Sequence, residues 1–225
     1  MKLYRTNLQG NPNVGLYGFC TDSYCLLAPE FTEEQVKTIE KVLRVPVHQL
    51  RIAKTSLLGA LLAGNSKMLL VPNIVFPDEL AVLDKLNIKY TIIPSKLTAL
   101  GNNILCNDKG ALVNPEYSAD VKKIIRQALD VKLHPSMMAD AEVTGACAVH
   151  NKAGLVLHAF AEKNQIEEVE SLLELKSIPG TVNFGSPYVH SGVFANSNGM
   201  VIGDRSTALE IENIYEALGF LTEHE

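Results

Sequence analysis

Short apolar runs, polar turns and longer stretches of helical spacing alternate along this chain, and the alternation occurs five times. A turn-and-strand signature returns at Tyr24, Lys67, Gly110, Gly154 and Gly199, spaced 43, 43, 44 and 45 residues apart. The copies read TDSYCLLAP from Thr21, GNSKMLLVP from Gly64, NDKGALVNP from Asn107, NKAGLVLHA from Asn151 and NSNGMVIGD from Asn196. Each is a polar turn followed by an apolar run, the pattern of the second half of a β-hairpin. A helical stretch with one apolar stripe follows each copy. The stripes are Val36, Ile39, Val42 and Leu43; Leu80, Leu83 and Leu86; Val121, Ile124, Ile125 and Leu129; Ile166, Val169, Leu172 and Leu173; and Ala208, Ile211, Ile214, Tyr215 and Leu218. Helix starts are marked by Thr32 with Gln35, Pro77, Ser118, Asn164 with Glu167, and Thr207 with Glu210, residues that accept from free N–H groups or preset the first turn.

A third strand closes each unit: VHQLRIA from Val47, IKYTII from Ile88, VKL from Val131 and the stretch Thr181 to Asn183. No such strand follows the fifth helix, but Met1 to Arg5 reads MKLYR and has the required pattern. The expected fold is therefore α/β, one domain of five strand–strand–helix–strand units in a ring that the N-terminal strand closes, leaving no bare sheet edge. The units span approximately 15–57, 58–99, 100–142, 143–188 and 189–220, with residues 1–7 as the closing strand. A second glycine series, Gly15, Gly59, Gly101, Gly145 and Gly192, recurs before each hairpin. In a ring these positions gather at one end, where small residues predict a flat surface with accessible backbone, suited to docking.

At 225 residues and 47% hydrophobic the chain can bury a sizeable core. Its net charge of −5 argues against nonspecific coating of nucleic acid. The basic run Lys122, Lys123 and Arg126 and the acidic run Glu167, Glu168, Glu170 and Glu174 read as solvated helix faces. No apolar run reaches 18 residues and no secretory leader is visible, so a cytoplasmic protein without a membrane span is expected. Cys20, Cys25, Cys106 and Cys147 lack metal-ligand spacing and read as packed thiols. His48, His134, His150, His158, His190 and His224 form no metal motif, and no phosphate loop or nucleophile elbow is present. No metal, cofactor or catalytic residue is expected. The Asn-x-x-Gly turns at Asn107, Asn151 and Asn196 read as turn chemistry.

Several ordered motifs resemble the ribosomal anti-association factors called translation initiation factor 6, in their archaeal form. They are Thr21 to Leu26, Gly64-Asn65 with Leu69 to Pro72, Leu97 to Asn102 followed by Cys106 to Asp108 and Ala111 to Val113, and Pro179 to Asn183 with Gly185-Ser186. The resemblance covers nearly the whole chain. It implies a pentein (a β/α-propeller of five units about a pseudo-fivefold axis) and a non-enzymatic role. The implied role is to dock on the large ribosomal subunit, beside ribosomal protein uL14 and the sarcin–ricin loop, and sterically keep the small subunit away. By the same resemblance the ribosome-binding residues are Gly15, Leu16, Gly59, Ala60, Leu100, Gly101, Asn102, Asn103, Gly145, Ala146, Ser191 and Gly192, in a monomer.

Two features depart from eukaryotic members. Ala60 stands where they carry a basic residue, and the chain ends at Glu225 without their Ser/Thr-rich tail. Rival readings are a guanidine-modifying enzyme of the pentein class and a ring that binds a small molecule in its centre. The enzymes place a nucleophilic Cys in the last unit, but Val189 to Phe220 contains no Cys, and its one histidine, His190, has no thiol beside it in sequence.

Overall fold

A computed structural model describes residues 1–222; His224 lies outside the described residues. The first unit runs from a one-turn helix, Val14–Tyr17, into β2 (Gly18–Cys20), β3 (Cys25–Leu27), helix α1 (Glu33–Leu43) and β4 (Val47–Gln49). Three further units repeat this order. The second comprises Leu58–Leu61, β5 (Ala63–Gly64), β6 (Leu69–Pro72), α2 (Pro77–Lys85) and β7 (Tyr90–Ile93). The third comprises Leu100–Asn103, β8 (Ile104–Cys106), β9 (Gly110–Val113), α3 (Ala119–Leu129) and β10 (Lys132–Pro135). The fourth comprises Thr144–Cys147, β11 (Ala148–His150), β12 (Leu155–His158), α4 (Lys163–Leu173) and β13 (Ser177–Gly180). The fifth has Val189–Gly192, β14 (Val193–Ala195), β15 (Met200–Gly203) and α5 (Ala208–Ala217), and its third strand is β1 (Leu3–Thr6) from the start of the chain.

The result is a mixed α/β fold of five three-stranded sheets. In each, the middle strand runs antiparallel to the first and parallel to the third. The N-terminal strand pairs as expected, Leu3 to Thr6 lying parallel to Met200 to Gly203. Middle strands are buried along their length, from Leu26 and Leu27 in β3 to Val201 and Ile202 in β15, which is why they read as unbroken apolar runs. The helices pack their stripes on these sheets, with Ile39, Leu83, Ile125, Leu173 and Ile214 fully buried.

Three boundaries differ from the sequence reading. The hairpin pairs Cys20–Cys25, Gly64–Leu69, Cys106–Ala111, His150–Leu155 and Ala195–Met200 make Met68, not Lys67, the equivalent of Tyr24. The third strand of unit four is Ser177–Gly180, ahead of Thr181 to Asn183. Pro179 and Gly180 would interrupt a central strand, but β13 is an edge strand, where a missing N–H is tolerated. Helix α4 starts from Glu162 with Gln165, whose side chain accepts from the Glu162 N–H at 3.0 Å, rather than from Asn164 with Glu167.

Two sets of side chains staple the units together. At the hairpin-turn end, the Asn65, Asn107, Asn151 and Asn196 amides donate to the carbonyls of Leu129, Leu173, Leu218 and Leu43 at 2.8 to 2.9 Å. Those carbonyls close the helices of other units, where backbone acceptors are otherwise free. The same asparagines accept from N–H groups two and three residues on, as Asn151 does from Ala153 and Gly154. Turn chemistry is thus half of their work.

At the opposite end, the third residue of a helix reaches a tight loop. Glu79 accepts from the Ala53 and Lys54 N–H groups, Gln165 from Ala139, and Glu210 from Phe184 and Gly185. Gln35 donates to the Asn7 carbonyl. These loops hold non-glycine residues at positive φ, including Ala53 (52°), Lys54 (57°) and Phe184 (68°), a conformation that costs energy outside glycine. The carboxylates compensate by satisfying the N–H groups exposed at the tips.

Candidate functional site

The one-turn helices meet in a cycle: Val14–Tyr17 touches Leu58–Leu61, which touches Leu100–Asn103, then Thr144–Cys147, then Val189–Gly192, which returns to Val14–Tyr17. Glycine makes the approach possible. A Cβ on Gly59 would lie 1.8 Å from the Gly15 carbonyl oxygen, one on Gly101 1.9 Å from that of Gly59, and one on Gly145 2.2 Å from that of Gly101. The fifth member is His190 and not Gly192, because His190 holds the second position of its helical turn and a Cβ on Gly15 would lie 1.8 Å from its carbonyl oxygen. Gly192 instead packs against the side chains of Val182 and Asn183. The phase was legible, since Val14-Gly15, Leu58-Gly59, Leu100-Gly101 and Thr144-Gly145 align with Val189-His190.

The expectation of accessible glycine backbone is therefore corrected. Gly15, Gly59, Gly101, Gly145 and Gly192 are buried, as are Ala60, Leu100 and Asn103. Asn103 is structural: its amide donates to the Ala99 carbonyl at 2.8 Å and its side-chain oxygen accepts from Asn114 at 2.8 Å. Leu16, Asn102, Ala146 and Ser191 reach the surface in part. Ser191 turns its hydroxyl back to the Tyr188 carbonyl at 2.8 Å. The Asn102 side chain makes no hydrogen bond among the described residues, leaving its donor and acceptor to solvent or a partner. The same end carries large exposed apolar side chains, Leu57, Phe76, Met137, Phe160, Phe184 and Tyr188, because the strand-to-helix connections and tight loops all emerge there.

Behind this end lies a central chamber of about 410 Å³, lined by the first strand of every hairpin. Gly101, Gly145 and His190 form its floor, and the exposed turn residues Ser66, Asp108, Lys109 and Lys152 stand at its mouth. Its histidines and two of its cysteines are engaged with the protein. The His190 Nε2–H donates to the Gly59 carbonyl at 3.0 Å, and that of His150 to the Cys106 carbonyl at 2.8 Å. Burial holds both imidazoles below their ordinary pKa, so they are neutral near pH 7. Cys20 donates to the Ala195 carbonyl and Cys106 to the Gly64 carbonyl. Burial raises both thiols, that of Cys106 to about 12, which suppresses the thiolate that nucleophilic attack requires.

At the mouth, Lys152 pairs with Asp22 at 2.8 Å, and the Ser197 N–H and hydroxyl donate to the same carboxylate. Burial raises the Asp22 pKa, but these partners outweigh it and hold the group below the ordinary carboxylate range. No group of three or more metal-ligating side chains occurs, and no helix is long and apolar enough to cross a membrane, among the described residues.

Five small α/β sheets arranged this way define a pentein-like fold. It is shared with the N-terminal domain of ArgZ, an arginine dihydrolase of cyanobacteria, at a TM-score of 0.51 and 14% identity over 84% of this chain and 72% of that one. At that identity the likeness concerns fold alone. A family model described as the eIF-6 family matches residues 3–217, and the chain belongs to that family. Relatives named Translation initiation factor 6 include those of Pyrococcus abyssi, 35% identical over 98% of this chain and all of that protein, and Haloquadratum walsbyi, 31% identical over 97% of each. Another, from Saccharolobus islandicus, is 32% identical over 97% of this chain and all of that protein. Membership assigns the chain to translation initiation, and its named relatives are factors and not enzymes.

Proposed function

We propose that this protein is a cytoplasmic, monomeric anti-association factor: it binds the large ribosomal subunit through the glycine end and blocks the small subunit by occupancy. The cyclic contacts of the one-turn helices, with β1 completing the fifth sheet, support a closed ring about a pseudo-fivefold axis, whose end offers one broad face. The observation that carries the reading is the unengaged amide of Asn102 beside buried Gly101, on the end where exposed apolar side chains gather. Blocking needs no chemistry, only an interface of order 1,600 Å² in total. Partner contacts are assigned to ribosomal protein uL14 beside the sarcin–ricin loop. Of the residues expected from the family resemblance, Leu16, Asn102, Ala146 and Ser191 are the contact candidates, and the buried glycines shape the face from beneath.

The experiment is co-sedimentation with purified archaeal subunits. The protein should pellet with large subunits and not small ones, and in excess should lower the yield of joined ribosomes. Binding to both subunits or neither overturns the proposal. Replacing Asn102 with Asp should weaken binding by about 1 to 3 kcal/mol, the usual cost of an unmade buried polar contact. Thermal melting should be unchanged, since the amide has no intramolecular partner.

A further inference from the structure

The strand-to-helix connection of unit four and Tyr188, just ahead of the one-turn helix Val189–Gly192, together form a cluster of three rings. His158, the last residue of β12, is buried, and its ring centroid lies 5.8 Å from that of Phe160 and 5.3 Å from that of Tyr188, both edge-on. The Phe160 N–H donates to His158 Nδ1 at 3.3 Å, and burial lowers the imidazole pKa, so the central ring is neutral near pH 7. The flanking rings face outward, Phe160 73% exposed and Tyr188 41% exposed. The two rings make one contiguous aromatic surface at the end proposed above to dock.

The surrounding charge says what covers it. The tight loop of unit three that Gln165 holds to the start of α4 carries exposed Asp140, and exposed Glu162 precedes the same helix, whereas Lys163 is turned toward Glu167 at 3.7 Å. A polyanion such as rRNA is disfavoured here, and a cation is favoured twice, by the carboxylates and by the ring faces. We propose that the Phe160–His158–Tyr188 cluster seats an arginine or lysine side chain of a basic segment of a partner protein. The proposal rests on the docking reading above, for which it supplies an anchor of stated chemistry: a cation on aromatic faces, framed by an acidic rim.

The test uses a tetra-arginine peptide and its neutral citrulline counterpart, titrated into the full-length protein by calorimetry and aromatic NMR. The arginine peptide should bind and shift the Phe160 and Tyr188 ring signals, and the citrulline peptide should bind at least about fivefold more weakly. Phe160→Leu and Tyr188→Leu keep apolar area and net charge but remove a ring face, and each should weaken the arginine peptide by roughly threefold to tenfold. Melting curves confirm that the variants fold.

Equal arginine-peptide binding by wild type and both variants overturns the proposal, as does equal binding of the two peptides. The same variants are then sedimented with large subunits. Wild-type pelleting with undiminished pelleting of both variants removes the cluster from the interface while leaving the docking reading in place. Failure of the wild type to pellet overturns the docking reading, and the peptide titration still decides the cluster.

Discussion

The contrast between two glycines isolates steric cost from backbone cost. Gly59 has an ordinary φ but no room, its Cβ position lying 1.8 Å from the Gly15 oxygen, whereas Gly10 sits at φ +84° with nothing within 4 Å. Gly59→Ala should therefore lose about 3 kcal/mol or more through forced separation of two helical turns. Gly10→Ala should lose only about 1 kcal/mol for the left-handed conformation. Urea unfolding of both variants checks the order, and equal losses would refute the packing argument. The chamber histidines give a second prediction at this scale. His150 and His190 have depressed pKa values in the folded protein and about 6.5 when unfolded. Above that value both states are neutral and stability is flat with pH. Below it the unfolded chain takes up protons first, so stability falls with acidity. Burial raises the Asp22, Glu170 and Glu210 carboxyls, but their hydrogen-bond partners outweigh it and hold them below the ordinary carboxylate range, so their own losses come at lower pH. A urea midpoint unmoved between about pH 7 and 5.5 would contradict this.

Among elements, the capping residues carry more than their helices. Glu210 accepts from the Thr207 N–H and hydroxyl, from the Thr181 hydroxyl and from the Phe184 and Gly185 N–H groups. Glu210→Ala strands several of these donors and should cost at least about 3 kcal/mol. Glu33→Ala, on an exposed residue whose partner is the exposed Lys37, should cost well under about 1 kcal/mol. Chemical denaturation of the pair tests whether α5 and the Phe184 loop unfold as one unit. The cap pairs Thr32–Gln35 and Thr207–Glu210 were legible because they are local, three residues apart with a known geometry. Their second bonds, to loops of the preceding unit, were not, since nothing within a helix's own sequence names a partner more than twenty residues away. The same holds for the asparagine turns: the Asx geometry is local, but the donation of Asn196 to Leu43 depends on how units abut. The third strand of unit four, expected at Thr181 to Asn183 and found at Ser177–Gly180, is a further case, since only its edge position makes Pro179 and Gly180 tolerable there.

At the scale of the molecule, the repeat period and the MKLYR segment were enough to place β1 beside the last unit, because five copies of one pattern expose the missing piece. The candidate face was less legible. The glycine series lies where the one-turn helices meet, yet close packing accounts for those residues, and the contact candidates proposed above are their neighbours. Removing residues 1–6 bares the β15 edge along Met200 to Gly203 and deletes Thr6, which Gln35 contacts. The trimmed protein should melt well below the full chain and aggregate on heating, as uncovered sheet edges do. Equal melting temperatures in calorimetry would show that β1 is dispensable.

The pairing of Leu3 with Met200 also sets a timetable. The first strand to leave the ribosome is the last to find its partner, nearly two hundred residues later. At roughly 5–20 residues per second, that is a wait on the order of 10 to 40 s during synthesis. Until then the N-terminal strand has no edge to join, and every earlier unit waits for its last neighbour. A chain stalled before residue 200 lacks the β15 edge that β1 requires. Folding is thus tied to synthesis of the fifth unit, and its rate should be slow for the size of the protein because so decisive a contact joins residues nearly two hundred positions apart.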